Sequence, residues 1–359
     1  MAADTPERRA AVIGVGLIGG SIGLALRRRG WHVSGLDRDT RRAERALALG
    51  ALDWVGPDPT AEVTFVATPA GAVVSEAHRA LAAGTVDGVV TDVAGVKSPI
   101  VDAIDHPRFV GGHPMAGSEQ DGVEGSDAGL FEGATWVLTP TEATDPSAYA
   151  RILGVISALG ADVVAMPAAR HDDVVAMVSH VPHLTAAALM TLAADAAAEQ
   201  GALLRLAAGG FRDMTRIAAG HPGIWPDVCF NNRVAITETL DLLVDALGSL
   251  RAQVADGDRD GILKVLERAR EARMSLPARM LHAEELVEVR VPVPDRPGVL
   301  AEVTTVLGEL NVNIYDLEIA HSAEGSRGVL VVTIDPATID AAVAALTDRG
   351  YRPAVRRLA

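Results

Sequence analysis

Ala11-Val12-Ile13-Gly14-Val15-Gly16-Leu17-Ile18-Gly19-Gly20-Ser21 decides the fold of the first part of the chain. An apolar strand-like run enters it, and residues 19–29 leave it with apolar side chains at helical spacing. Gly14, Gly16 and Gly19 make a G-x-G-x-x-G turn between the two. The first glycine permits the tight turn, the second lets a pyrophosphate approach the backbone, and the third lets helix and strand pack closely. The helix start, with Leu17 and Ile18 at its head, adds free N–H groups and the positive end of a dipole. Asp37 ends the next strand, 18 residues beyond Gly19. Its carboxylate can accept two ribose hydroxyls and would repel a 2′-phosphate, so NAD is expected over NADP. Arg38 follows directly and keeps NADP as the alternative.

Outward from this turn, strand signals recur at residues 10–15, 32–36, 63–67, 88–92, 109–111 and 135–138, with helical stretches such as 19–29 and 41–49 between. Val63-Thr64-Phe65-Val66-Ala67 is a near-continuous apolar run, as a parallel sheet covered on both faces requires. The expectation is a doubly wound α/β domain over residues 1–166. Thr68-Pro69 lies where a loop on the nicotinamide side would run; as a bare strand terminator, Pro69 would need no ligand.

Residues 167–284 carry almost no strand signal. Ala/Leu-rich runs at 174–192, 228–250 and 261–280 predict an all-helical domain, broken at Gly209-Gly210 and His221-Pro222-Gly223. Residues 285–359 change again. Val287, Val289, Val291 and Val293 alternate with polar residues or proline, a half-exposed strand. Asp295-Arg296-Pro297-Gly298 is a turn, with Pro297 expected in the first turn of a helix that ends near Leu310. Strands at 312–319 and 328–334, a helix at 339–348 and a last strand at 351–358 complete a βαββαβ ferredoxin-like unit.

Composition narrows the function. The 359 residues exceed one comfortable core, so two or three domains are expected. Lys+Arg 32 against Asp+Glu 47 leaves a net charge of -15, which disfavours nucleic-acid and anionic-membrane partners. The single Cys229 removes intrachain disulfides and Cys-rich metal cages, and a reducing, cytoplasmic setting follows as an expectation. No signal peptide is evident at the start. The apolar run 176–194 contains His180, Pro182 and His183 and does not read as a membrane span.

Three clusters carry candidate chemistry. In Gly111-Gly112-His113-Pro114-Met115-Ala116-Gly117-Ser118-Glu119, His113 is expected on a rigid, exposed turn, where a neutral imidazole could accept a hydroxyl proton. A satisfied structural histidine is the alternative. In Ser179-His180-Val181-Pro182-His183, two histidines three apart resemble metal ligands. They lack a cysteine or carboxylate partner, so hydrogen-bonding roles are preferred and no metal is expected. In Gly209-Gly210-Phe211-Arg212-Asp213-Met214-Thr215-Arg216, Arg216 could clamp a carboxylate or form a surface ion pair with Asp213.

Together with residues 130–140 and 225–232, these clusters resemble the prephenate dehydrogenase family of tyrosine biosynthesis, with a C-terminal ACT domain. The resemblance covers nearly the whole chain, in order. It implies that His113 is catalytic and accepts a hydrogen bond from the substrate's ring hydroxyl. It implies that Arg216 binds the side-chain carboxylate, that His183 and Ser179 line the pocket, and that Ser118 and Glu119 form a polar pair at its mouth. The helical domain would form a homodimer. In the ACT unit, Gly298-Val299-Leu300 and Asn313-Ile314 match the family's amino-acid-binding signature, which implies regulation, with tyrosine as the first effector to test. One departure is Gly95, where many members have a Ser that orients the catalytic His; a water, or Ser98 by another route, would have to replace it.

The implied reaction is NAD-dependent oxidative decarboxylation of prephenate to 4-hydroxyphenylpyruvate. Arogenate is the rival substrate, because Glu119 would lie near the group that distinguishes the two. A β-hydroxyacid dehydrogenase needs a catalytic Lys on the helical domain, and Lys264 is the only Lys between Met166 and Glu285. A non-catalytic amino-acid sensor is favoured only by Gly95.

Overall fold

The computed structural model describes residues 8–117, 120, 122–199, 207–220, 222–275, 287–294, 296–321 and 327–357. The chain divides into two compact units, residues 1–266 and 267–359.

The first unit is built on an eight-stranded sheet of order β3-β2-β1-β4-β5-β6-β7-β8. Its strands are β1 (Arg9–Ile13), β2 (His32–Leu36), β3 (Trp54–Val55), β4 (Val63–Val66), β5 (Val89–Asp92), β6 (Phe109–Pro114), β7 (Thr135–Thr139) and β8 (Asp162–Ala165). The helices within it are α1 (Leu17–Arg28), α2 (Thr40–Ala48), α3 (Ala70–Ala83), α4 (Ser98–Val101) and α5 (Pro146–Ala158). The order reverses beside β1, and the G-x-G-x-x-G turn opens at that switch point, as doubly wound sheets require. Val12, Val33, Val63 and Phe65 are fully buried, so the central strands have no polar face.

Two features depart from the expectation. The sheet is mixed: β6 and β7 pair antiparallel, because residues 115–134 return without a helical crossover. Strands β3 and β8 had no reading of their own; β3 is two residues long, and β8 is only half-buried at the sheet edge.

Beyond β8 come α6 (Ala168–Val175), a π-helical turn at Ala176–His180, α7 (Val181–Glu199), α8 (Gly209–Thr215), α9 (Trp225–Asn231), α10 (Arg233–Asp256) and α11 (Arg259–Met274). The predicted run 174–192 is thus interrupted by the π turn, and 228–250 is split at Asn232. Leu192, Val234, Leu242, Val244, Leu247, Leu263 and Leu266 are each more than half exposed in the single chain.

The second unit contains β9 (Val287–Pro294), α12 (Val299–Glu309), β10 (Ile314–His321), β11 (Arg327–Ile334), α13 (Ile339–Asp348) and β12 (Ala354–Arg357). The antiparallel order β10-β11-β9-β12 is the ferredoxin-like arrangement. Val287, Val289, Val291 and Val293 all point into its core, as their alternation predicts. Pro297 does not enter the helix: Gly298, at φ +89°, caps α12 from the left-handed region and Val299 opens it.

Candidate active site

The nucleotide turn is shaped by close backbone approach. Gly14 has φ +92°, and a Cβ there would sit 2.5 Å from the Ala67 carbonyl oxygen; at Gly19 it would sit 1.9 Å from the Gly14 oxygen. Neither position accepts a side chain without moving the backbone. Gly16, at the head of α1, faces open space, and no side chain caps that helix start. Asp37 is fixed by accepting Val15 N–H (3.0 Å) and Asp39 N–H (2.9 Å). At the end of β4, the Thr68 hydroxyl is buried without a hydrogen-bond partner among the described residues, and Pro69 caps α3. An open helix terminus that donates, a fixed carboxylate that accepts and an orphaned hydroxyl fit the hydrogen-bonding needs of a dinucleotide.

A strap from the β6–β7 connection braces this turn. Ser126 Oγ donates to the Leu17 carbonyl at 3.1 Å, and Asp127 N–H donates to Ser21 Oγ at 3.0 Å. Val123, in a 3-10 turn at Val123–Gly125, is buried in the sheet core. The residues just before it, Ser118 and Glu119, lie outside the described residues.

His113 is not on an exposed turn, as the sequence led us to expect. It lies within β6, opposite Val137 of β7, and its ring is half-buried. The Gly-Gly-His-Pro stretch extends the strand because β7 supplies an antiparallel partner. Its backbone is anchored from below by a fully buried pair, Asp92 on β5 and Lys97 before α4. Lys97 Nζ donates to Asp92 and, at 2.8 Å, to the Gly112 carbonyl. Asp92 in turn accepts Gly112 N–H at 3.0 Å and Ala94 N–H at 2.9 Å. Burial pulls Lys97 below the ordinary lysine value, against the opposing charge of Asp92.

The His113 ring meets His171, which in turn meets Asp172, and the sequence singled out neither. Nδ1 of His113 is 2.8 Å from Nε2 of His171, and the rings cross edge to face. Nδ1 of His171 is 2.8 Å from Asp172 Oδ1. Asp172 also accepts Lys97 N–H and Ser98 N–H, both at 2.8 Å. Burial alone would raise the Asp172 carboxyl, but hydrogen bonds from His171, Ser98 and Lys97 hold it below its ordinary value. Asn232, between α9 and α10, donates to the Asp172 carbonyl at 2.9 Å and lies 3.1 Å from Nδ1 of His180. Burial pushes His180 down to about 4. His113 itself is held well below the ordinary imidazole value, first by burial and then by His171, Lys97 and His180, with Asp172 opposing. Its Nε2 faces Gly95, where a Cβ would lie 3.6 Å away.

Of the Ser-His-Val-Pro-His cluster, it is therefore His180 that joins the buried network. His183 stacks on Trp225, with ring centroids 3.6 Å apart and an interplanar angle of 13°, and Ser179 is half-buried in the π turn. Arg216 begins a 3-10 turn after α8 and is exposed in the single chain. Ser98 meets Asp172, not His113. His171 and Asp172 carried no motif, and Asn232 ended a matching stretch without a role of its own; the one available signal was an Arg-His-Asp-Asp run at the head of an otherwise apolar helix.

Comparison with known proteins places this geometry. Residues 22–165 match the prephenate dehydrogenase nucleotide-binding domain, residues 167–268 the prephenate dehydrogenase dimerization domain, and residues 287–350 the ACT domain. Prephenate dehydrogenase of Bacillus subtilis is 32% identical over 334 residues, covering 89% of this chain and 90% of its own. Among solved structures, prephenate dehydrogenase of Aquifex aeolicus in complex with hydroxyphenyl propionate and NAD+ superposes with a TM-score of 0.72 at 28% identity, covering 76% of this chain and 100% of that one. Synechocystis arogenate dehydrogenase superposes with a TM-score of 0.66 at 32% identity, covering 74% and 98%.

Proposed function

The chain belongs to the prephenate dehydrogenase family, and on that premise we propose that it converts prephenate to 4-hydroxyphenylpyruvate and CO2 with NAD, in tyrosine biosynthesis. The observation that carries this reading is the His113 ring, with one nitrogen tied into a buried network and the other facing Gly95, which has no side chain to cover it. NAD, when bound, supplies a hydride acceptor for C4 of the substrate ring. Gly14, Gly16, Leu17, Ile18 and Gly19 hold its pyrophosphate, Asp37 takes the ribose hydroxyls, Arg38 flanks them, and Thr68 and Pro69 lie on the nicotinamide side.

His113 Nε2 accepts the proton of the ring 4-hydroxyl as the C4–H bond breaks. The ring carboxylate leaves as CO2, and aromatisation drives the sequence forward. His113 then holds a proton that it can return to the phenolate. Its depressed basicity keeps it neutral, and thus able to act as a base, at neutral pH. Arg216 anchors the pyruvyl carboxylate, Ser179 and His183 line the pocket, and Ser118 and Glu119 correspond in sequence to the polar pair that the family has at the pocket mouth. The protein is a homodimer acting on a small molecule. The apolar faces of α7, α10 and α11 are the surface that dimerisation would cover. The run Ala168–Ala197 is apolar and long enough to cross a membrane, yet we assign it to this packing and the reaction to the cytoplasm. We divide the chain into a dinucleotide domain (1–166), a helical domain (167–284) and an ACT domain (285–359).

NADH formation with purified prephenate and with arogenate tests the assignment. Turnover of prephenate alone or with preference supports it, and turnover of arogenate alone transfers the chain to the sister activity. Turnover of neither would leave an amino-acid sensor.

Asp37 sets the cofactor. NAD should be preferred over NADP by roughly 10²-fold, since like charges brought together cost several kcal/mol. Asp37→Ser should narrow that ratio, as measured by kcat/KM for each cofactor; a wild-type preference for NADP would contradict the assignment.

Arg216→Gln should act mainly through KM, because the carboxylate is held alike in ground and transition states. Its exposure in the single chain puts the effect at about 2 kcal/mol, or roughly 30-fold in KM. Steady-state kinetics that show an unchanged KM would remove Arg216 from the pocket.

The ACT unit has its own buried core of valines and leucines and carries the effector site in this reading. Gly298, Val299 and Leu300 open α12, and Asn313 is exposed immediately before β10, with Ile314 its first residue. Arg296 is engaged with Glu302 at 2.7 Å, which fixes one flank of the loop. Calorimetry on the intact protein should detect tyrosine binding, and Asn313→Ala should weaken it by about 1–3 kcal/mol. Heat unchanged by that substitution would move tyrosine to the catalytic pocket.

A further inference from the structure

We infer that His171 and Asp172 act as a two-link relay that fixes which nitrogen of His113 carries the proton, and so makes Nε2 the base. The inference rests on the assignment of His113 as proton acceptor and extends it to residues that touch no substrate.

The argument starts at the carboxylate. An ionised Asp172 has only acceptors to offer, and it already accepts two backbone N–H groups where α4 begins. Its hydrogen bonds keep it ionised. The contact at Nδ1 of His171 can therefore be satisfied only by an N–H on that nitrogen. A His171 that holds only this one proton presents a lone pair at Nε2, directed at Nδ1 of His113 over 2.8 Å. Two lone pairs at that distance would repel, so Nδ1 of His113 carries the hydrogen. Nε2 of His113 is left with its lone pair, facing Gly95. With one proton on His171, one tautomer of the base remains.

The surroundings reinforce this polarity. His171 is 1% exposed and Asp172 5%, so water does not compete for these bonds. Asn232 holds Asp172 by its carbonyl and supports His180 beside it. The opposite side of the ring is fixed through the backbone, where Asp92 and Lys97 grip Gly112 from both its N–H and its carbonyl. When His113 takes a proton, the relay lets Asp172 face the resulting imidazolium through a polarised ring. This is the arrangement that orients a catalytic histidine by a buried carboxylate, with one more imidazole inserted. It also compensates for Gly95, because the ring is aimed from its Nδ1 side and needs no hydroxyl at Nε2 for that purpose.

Nitrogen-15 NMR of the histidine rings in the intact wild-type protein at neutral pH reads the tautomer directly, with His113→Asn and His171→Gln used for assignment. His113 should be protonated at Nδ1 and bare at Nε2; a proton on Nε2 overturns the relay. His171→Phe removes the acceptor and should lower kcat by roughly 10²-fold with KM within about twofold, because base orientation and not binding is lost. His171→Gln retains an acceptor toward His113 and should recover most of that loss. Equal rates for the two variants, whether fast or slow, contradict the proposal. The tautomer is read on the wild-type protein and needs no substrate. If His113 shows the expected tautomer but His113→Asn turns over normally, the relay stands and the assignment of the base fails.

Discussion

His113→Asn is expected to lower kcat by roughly 10²–10⁴-fold with little change in KM, the range that a positioned general base contributes. Asparagine keeps a polar group of similar reach on β6 but cannot take up a proton. The pH profile carries the same information. Burial holds His113 well below 6.5, the charges of His171, Lys97 and His180 act in the same direction, and Asp172 opposes them. The base form is the neutral one, so activity is lost only as pH falls through that depressed value. The acid limb of kcat/KM should therefore lie well below pH 6.5, and His113→Asn should abolish it. Near-normal turnover in the variant, or an acid limb at the ordinary imidazole value, would mean that another group takes the proton.

The second large effect is on stability. Lys97→Met should destabilise the catalytic unit by roughly 3–5 kcal/mol, because it leaves Asp92 charged and uncompensated where no water reaches it. At about 2–4 °C per kcal/mol for a unit of this size, the melting midpoint should fall by roughly 6–20 °C. Adding Asp92→Asn should restore part of the loss, since the buried charge is then removed together with its partner. The amide still accepts one of the two backbone N–H groups that Asp92 now satisfies. A single variant that melts within a degree or two of wild type would show that the pair contributes little.

The two effects divide along the line between what the sequence disclosed and what it did not. Gly14, Gly16, Gly19 and Asp37 are local: each does its work within one strand–turn–helix unit, so spacing alone exposed them. The alternating valines of β9 were legible for the same reason, since a period of two states a half-buried strand directly. His171 and Asp172 were illegible because their meaning depends on a partner 58 residues away on another element. Lys97 and Asp92 were given no role from the sequence, and it is the fold that buries them together. His113 was found, but its setting was misjudged. Whether a Gly-Gly-His-Pro stretch turns or continues as strand is decided by β7, which pairs with it from beyond residue 134. The resemblance gave His183 a place in the pocket and His180 none. One helical turn separates a buried, bonded imidazole from one stacked on an indole, and only packing tells them apart.

Because His171 and Asp172 are consecutive, α6 is fastened to the sheet by bonds to β6 and to the head of α4 at a single point. Asn232 ties the same Asp172 to the junction of α9 and α10, so α6 is pinned to both halves. Past Val175 the chain leaves regular α-helical spacing at Ala176–His180. The base is thus oriented in the free protein, and binding of substrate need not build it.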